Sequence, residues 1–293
     1  MKVLNYGSLN IDYVYTMDEF VKEGETKSSI SFKKNIGGKG LNQSIAFKKA
    51  GLDIYHAGKI GNDGFFLKEY LKDNGVNVEN IFVDDDESGH AIIQVDNNGN
   101  NCIILNGGAN QRILKEEIDL VLNKFKANDL LILQNEINNV DYIIEEAYKK
   151  GMQIAINLAP INGNEKKFDL TKVNIINVNE SEGKALANKE NPDDVFEELI
   201  KNYPNSMIIL TLGELGSRCY YQGERFSQNI FKVEVIDTTS AGDTFFGFFL
   251  KEYYQTKNIK RALLIASKAS SICVSRKGAS ISIPNYDEVN NNL

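Results

Sequence analysis

The chain has 293 residues, 42% hydrophobic and 25% charged, with a formal net charge of −7. Those values describe a globular protein with ample core, in one large domain or one with an appendage. An acidic chain with no basic run argues against nucleic acid and anionic membranes as partners, so any phosphate site must be local.

In chain order, strand and helix patterns alternate. Residues 2–6 read as a short strand rather than a leader, and no apolar stretch is long enough to cross a bilayer, so a cytoplasmic location is expected. A glycine cluster, Gly37-Gly38-Lys39-Gly40-Leu41-Asn42-Gln43, precedes an amphipathic helix over 40–50 that Gly51 stops. Three glycines in four residues let backbone approach a ligand closely, and Asn42 offers a donor and acceptors suited to sugar hydroxyls. A strand over 54–57, a helix over 64–74, a strand over 130–134, a helix over 140–150 and a strand over 153–157 follow. This alternation predicts an α/β fold: a mostly parallel central sheet with helical crossovers on its faces. Two stretches, 12–35 and 88–106, break it with a hairpin pattern, and together they predict a small β-layer. Such a layer cannot bury much alone, so it is expected to cover the cleft, pair with a second subunit, or both. No repeat or low-complexity linker divides 1–293.

Ligands in parallel sheets bind beyond the carboxyl ends of the strands, where Gln134-Asn135-Glu136, Asn157-Leu158-Ala159-Pro160, Asn177-Val178-Asn179-Glu180 and Thr211-Leu212-Gly213 fall. Each alone is read as a turn or cap; four together argue for a shared cleft. Asp237-Thr238-Thr239-Ser240-Ala241-Gly242-Asp243 is expected to link a strand over 231–236 to a buried helix, leaving the amides of Ala241, Gly242 and Asp243 free to bind an anion. A carboxylate at that point is better used as a base on a hydroxyl beside a bound phosphate, which suggests phosphoryl transfer to an alcohol. The alternative is a plain turn and cap, and neither glycine cluster fits the Walker A frame. Cys102, Cys219 and Cys273 lack metal-site spacing and are expected to be buried thiols; His56 is expected to pack in the core. The tail at 290–293 is expected to fray.

The two glycine segments resemble the amino- and carboxy-terminal signatures of the ribokinase-like, or PfkB, carbohydrate kinases, and the likeness runs from Gly7 to Pro284. Within that family the ribokinase branch is most similar, sharing Gly7-Ser8-Leu9-Asn10-Ile11-Asp12, Gly108-Ala109-Asn110, Gln134-Asn135-Glu136 and Arg276-Lys277-Gly278-Ala279. The resemblance implies the three-layer ribokinase-like fold with a β-sheet lid, and ATP-dependent phosphorylation of a pentose at its primary hydroxyl, O5 of ribose. It implies Asn10, Asp12, Gly38, Lys39, Gly40, Asn42 and Glu136 as sugar contacts, Asp243 as base and 241–243 as anion hole. It further implies Asn179 and Glu182 near Mg²⁺ and phosphate, with Thr211, Gly213, Gly216, Gly242 and Ser267 along the nucleotide. A K⁺ site would involve Asp237, Thr239, Cys273, Arg276, Gly278 and Ser282, mostly through backbone carbonyls. Asn179 and Glu182 read without the family are a helix cap and a first-turn acid. The chain departs from common ribokinase sequences at Asn157-Leu158-Ala159-Pro160 and Asn106-Gly107-Gly108-Ala109-Asn110, near the cleft, which leaves fructose, another ketose or a nucleoside open as acceptor. A sugar-binding regulator without catalysis is the reading from a different class. A homodimer through the lid is expected.

Overall fold

The structure is a computed structural model that describes residues 1–293. The first half of the chain contains β1 (Val3–Tyr6), β2 (Asn10–Thr16), β3 (Ser31–Gly37), α1 (Lys39–Lys49), β4 (Ile54–Gly61), α2 (Phe65–Asp73) and β5 (Asn77–Asp84). The hairpin β6 (Gly89–Val95) and β7 (Asn101–Asn106) follows, then α3 (Lys115–Leu122), β8 (Leu130–Gln134), α4 (Val140–Lys149) and β9 (Gln153–Asn157). The second half adds β10 (Ile175–Asn179), α5 (Glu180–Ala187), α6 (Pro192–Asn202), β11 (Met207–Thr211), β12 (Ser217–Tyr221), β13 (Glu224–Gln228), α7 (Ala241–Thr256), α8 (Ile259–Val274) and α9 (Tyr286–Asn291).

Nine strands form one sheet in the order β13-β12-β11-β10-β9-β8-β1-β4-β5. All pairings from β11 to β5 are parallel, and the β12–β13 hairpin closes one edge antiparallel. Both faces are covered, which is why β8 reads as the unbroken apolar run Leu-Leu-Ile-Leu before Gln134. The period of two sends Leu130 and Ile132 to the layer built by α1, α7 and α8, and Leu131 and Leu133 to the layer built by α3, α4 and α6. Phe246 and Phe248 are fully buried in the first layer, and each contributes roughly 1.5–3 kcal/mol of burial. Phe47 of α1 meets Phe246 edge-on with centroids 6.0 Å apart, which fixes α1 against α7.

The expected small layer forms a second sheet of order β3-β2-β6-β7. Its register sets Asn10 opposite Gly37 and Asp12 opposite Asn35, with β6 parallel to β2 on the other side. The outer strands stay open: β7 is exposed along its length, and Phe32, Ile103, Ile104 and Leu105 are each at least half exposed.

Three expectations are corrected. Residues 231–236 form no strand; Val235 and Ile236 are exposed, and the Ile236 and Asp237 amides bond the Val274 carbonyl instead of a sheet neighbour. An apolar pattern whose amides pair elsewhere does not become a strand. Cys102 is exposed on β7, since that strand has no layer above it, while Cys219 and Cys273 are buried. The tail expected to fray begins inside α9, which runs to Asn291 and is anchored by the buried Val289, so only Asn292 and Leu293 lie beyond a regular element.

Candidate active site

The polar residues at the strand ends do converge. Register pairs Gln134 with Asn157, Asn157 with Asn177, and Asn179 with Thr211, so β8 to β11 present them side by side at their carboxyl ends. The two glycine junctions open onto the same end of the sheet. Around Gly38 and Gly40 the chain passes so close to the connection from β1 into β2 that an added methyl would lie 2.9 Å from the Asn10 nitrogen and 2.3 Å from the Ser8 nitrogen, respectively. Gly38 also has φ of 97°, a left-handed value, so glycine is required twice over.

Lys39 starts α1, an unfavourable place for a cation against the helix dipole. Its compensation is in the surroundings: burial would pull its ammonium down, but Asp243, Glu136 and Glu182 outweigh that and hold it above the usual lysine value. Glu136 reaches the helix start, where one carboxylate oxygen accepts the Lys39 amide at 3.0 Å and the Ser8 hydroxyl, while its other oxygen makes no protein hydrogen bond. Asn10 is fixed by Asn110, whose side-chain amide donates to the Asn10 Oδ1 at 2.7 Å. Burial, then the nearby Glu136 charge, pushes the Asp12 carboxyl up to about 7. Asn42 is buried with its Oδ1 unpartnered, an acceptor that a hydroxyl would satisfy.

At the second junction, Ser240 turns through left-handed backbone (φ 62°) into α7. The Ala241 amide is used locally, donating to the Thr238 carbonyl at 3.2 Å, so the anion-binding set is narrower than expected: the Gly242 and Asp243 amides alone carry no hydrogen bond. Asp243 is buried, accepts a hydrogen bond from Gln43 Nε2 at 3.0 Å, and is raised above the ordinary aspartate value by burial, against the pull of Lys39. A buried, partly compensated carboxylate beside free helix-terminal amides can accept a proton next to a bound anion.

Asn179 and Glu182 form a reciprocal capping box: the Asn179 side chain accepts the Glu182 amide at 2.9 Å, and Glu182 accepts the Asn179 amide at 2.9 Å. Burial raises the Glu182 carboxyl although Asn179 and Lys39 oppose it. Thr211 ends β11, Gly213 and Gly216 turn with positive φ just beyond it, and buried Ser267 lies on α8, one turn before Ser270, which donates to the Ala241 carbonyl at 2.9 Å. The loop at 237–239 and the end of α8 meet: Asp237 accepts the Thr239 and Gly278 amides at 2.9 Å each, and these bonds hold it below the usual aspartate range despite burial. Cys273 and Ser282 join that contact at 3.1 Å, but the Arg276 side chain leaves it to pair with Glu288 at 3.2 Å.

Asn5 was not singled out by sequence, and Gln43 and Gln134 were read only as members of the glycine cluster and of a strand-end triplet, with no role of their own, although Lys39, Asn42 and Gln43 share one helical face at i, i+3 and i+4. That spacing is the signal that would have found Gln43.

Residues 1–286 match the description pfkB family carbohydrate kinase. The chain belongs to that family. It is 32% identical to a ribokinase of Staphylococcus aureus over 306 residues, covering 99% of this chain and 98% of that one. It is 33% identical to a bifunctional ribokinase/ribose-5-phosphate isomerase A of Fructilactobacillus sanfranciscensis, covering 99% of this chain and spanning 56% of that protein's length. The structure of Arabidopsis thaliana ribokinase complexed with ribose and ATP superposes with a TM-score of 0.88 at 28% identity, over 99% of this chain and 97% of that one. This pfkB kinase thus has the ribokinase fold, mixed α/β with a large mostly parallel sheet, a second small sheet, and no helix long and apolar enough to cross a membrane.

Proposed function

We propose that this kinase transfers the γ-phosphate of ATP to O5 of D-ribose, with Asp243 as general base. The observation that carries the reading is the Asp243 carboxylate, buried beside two unpartnered helix-terminal amides and facing the Lys39 ammonium. Asn10, Asp12, Asn42, Glu136 and the Gly38–Gly40 backbone hold the sugar hydroxyls. Asp243 takes the proton from O5 as the new O–P bond forms and the bond to ADP breaks; the Gly242 and Asp243 amides stabilise the charge on the phosphoryl oxygens in flight. The nucleotide lies along Thr211, Gly213, Gly216 and Ser267.

Mg²⁺ supplies charge neutralisation on the phosphates, which an acidic chain does not. Asn179 and Glu182 are engaged with each other, so they fit a divalent ion through its water shell rather than as direct ligands. Asp237, held ionised by the Thr239 and Gly278 amides, offers carboxylate oxygen that fits the donor set of K⁺, which would order the 237–243 loop. We place the protein in the cytoplasm as one catalytic unit over 1–293 with a lid from 12–35 and 88–106. A second copy pairs through the exposed apolar side chains of the lid, for which Phe32, Ile103 and Ile104 are the argument. ADP release measured with ribose, deoxyribose, fructose, tagatose, adenosine and uridine, with and without K⁺, tests the reading. Preference for ribose supports it; turnover on another acceptor keeps the mechanism and replaces the substrate; binding without turnover returns the regulator.

A further inference from the structure

Asp243 is the end of a buried chain of side-chain hydrogen bonds that the reaction described above does not use. Gln43 Nε2 donates to Asp243 Oδ1 at 3.0 Å; Gln134 Nε2 donates to Gln43 Oε1 at 2.6 Å and to Asn5 Oδ1 at 2.8 Å. Asn5 Nδ2 in turn donates to the Gly40 carbonyl at 2.7 Å and to Ser44 Oγ at 2.8 Å, and Ser44 meets His56 Nδ1 at 2.8 Å. Gln43, Asn5, Ser44 and His56 have no exposed surface, and Gln134 is 1% exposed. His56 is pushed down to about 3 by burial, so it stays neutral and brings no charge to the chain.

A glutamine side chain has nearly the same shape either way round, and only its partners decide which end faces a neighbour. Here both ends of the chain are pure acceptors, the Asp243 carboxylate and the Gly40 carbonyl. Asn5 must turn its NH₂ to Gly40, which leaves its oxygen for Gln134; Gln134 then has an NH₂ for Gln43 Oε1, and Gln43 is left with its NH₂ aimed at the base. Reversing Gln43 would set two buried oxygen acceptors against each other and strand the Gln134 donor, a cost that burial makes large.

From this geometry we propose that Gln43 is a positioning residue for Asp243, its orientation dictated by Gln134 and Asn5. It fixes the rotamer of the base and keeps its acid form from forming early, leaving the second carboxylate oxygen for the acceptor hydroxyl. The proposal rests on the kinase reading with Asp243 as base. Around Asp243, the charged or titratable groups are Lys39 from α1, Glu136 from the loop after β8, Glu182 from α5 and Cys273 from α8. None of them donates a hydrogen bond to it, so Gln43 alone sets its direction through a side-chain bond.

The test compares wild type, Gln43→Met, Gln43→Glu and Gln134→Met, each assayed for kcat, sugar KM and the pH dependence of kcat/KM, with sugar binding followed by calorimetry. Wild-type turnover checks the kinase reading on its own; if it is absent on every acceptor, that reading fails before any variant is judged. With an active wild type, Gln43→Met is expected to lose on the order of 10- to 100-fold in kcat. Its sugar KM should stay within a few-fold, and the acid limb should move up by about one pH unit, the worth of one lost charge-assisted hydrogen bond. Gln43→Glu, which keeps the volume and adds a like charge, should move the limb further, and Gln134→Met should move it less. A Gln43→Met enzyme with unchanged kcat and acid limb overturns the proposal. So does one whose loss appears in sugar binding and melting temperature while the limb stays in place, and Gln43→Glu decides the same question if the methionine variant does not fold.

Discussion

The two glycine junctions of the site look alike in sequence and are built on opposite plans. At the first, the backbone is pressed against its own neighbours: a methyl on Gly40 would come within 2.3 Å of the Ser8 nitrogen. At the second, a methyl on Gly242 would meet nothing within 4 Å, and Gly242 has no left-handed φ to demand glycine. One glycine is imposed by the fold; the other leaves the start of α7 open from outside. The comparison separates residues that build the cleft from residues that leave it room.

Removing the proposed base should give the largest effect. Asp243→Asn is expected to lower kcat by about 10²- to 10⁴-fold or more, since proton transfer and orientation are lost together, with the sugar still bound in calorimetry. Gly40→Ala comes next and breaks the comparison on the structural side: a backbone overlap has no rotamer by which to relax, so a loss of several kcal/mol is expected, about 4 or more marking an exceptional mutation, read as a fall in melting temperature. Gly242→Ala sharpens the contrast. The melting temperature should hold or rise slightly because alanine is the better helix residue, while ATP turnover drops by about 10-fold or more as the methyl intrudes on the phosphoryl group. A fall in stability with intact turnover would reverse the assignment of that glycine.

The smallest effect is a pH dependence on the sugar side. Asp12 titrates at about 7 because burial and then Glu136 disfavour its charge. If Asp12 holds the sugar as proposed, its carboxylate accepts hydroxyls above that pH; as pH falls through 7 it takes up a proton and loses that capacity, so sugar KM should rise toward acid by up to about tenfold per unit. Asp12→Asn should flatten the profile below neutrality, measured as KM between pH 5.5 and 8.5.

How much of this the amino-acid sequence carried depends on whether a residue acts through its own pattern or through partners far along the chain. The parallel sheet was legible because runs such as Leu130–Leu133 must be covered on both faces, and the second small sheet because residues 91–95 and 102–105 flank a turn. The site loops were legible through glycine and strand-end polarity. The false strand at 231–236 had a suitable pattern, but its Ile236 and Asp237 amides pair with the Val274 carbonyl at the end of α8 rather than with a strand. The Ala241 amide was claimed for an anion because nothing local revealed that Thr238 would take it. Gln43 and Gln134 are 91 positions apart and Gln43 and Asp243 are 200 apart, so their chain of amides existed only after folding.

The register of the lid has a consequence for how such an enzyme can diversify. Asn10 sits opposite Gly37 and Asp12 opposite Asn35, so the proposed sugar contacts are the first rungs of the ladder that carries the second sheet. Side chains on a strand alternate faces, and a shift of one residue in that ladder would turn Asp12 away from the cleft and bring Ile11 or Tyr13 into its place. Insertions in the loop between β2 and β3, or at the tip of the β6–β7 hairpin, leave those rungs unmoved. The lid thus behaves like text in a reading frame: its far end tolerates edits of any length, whereas near the hinge a single added letter rewrites the acceptor the kinase can recognise.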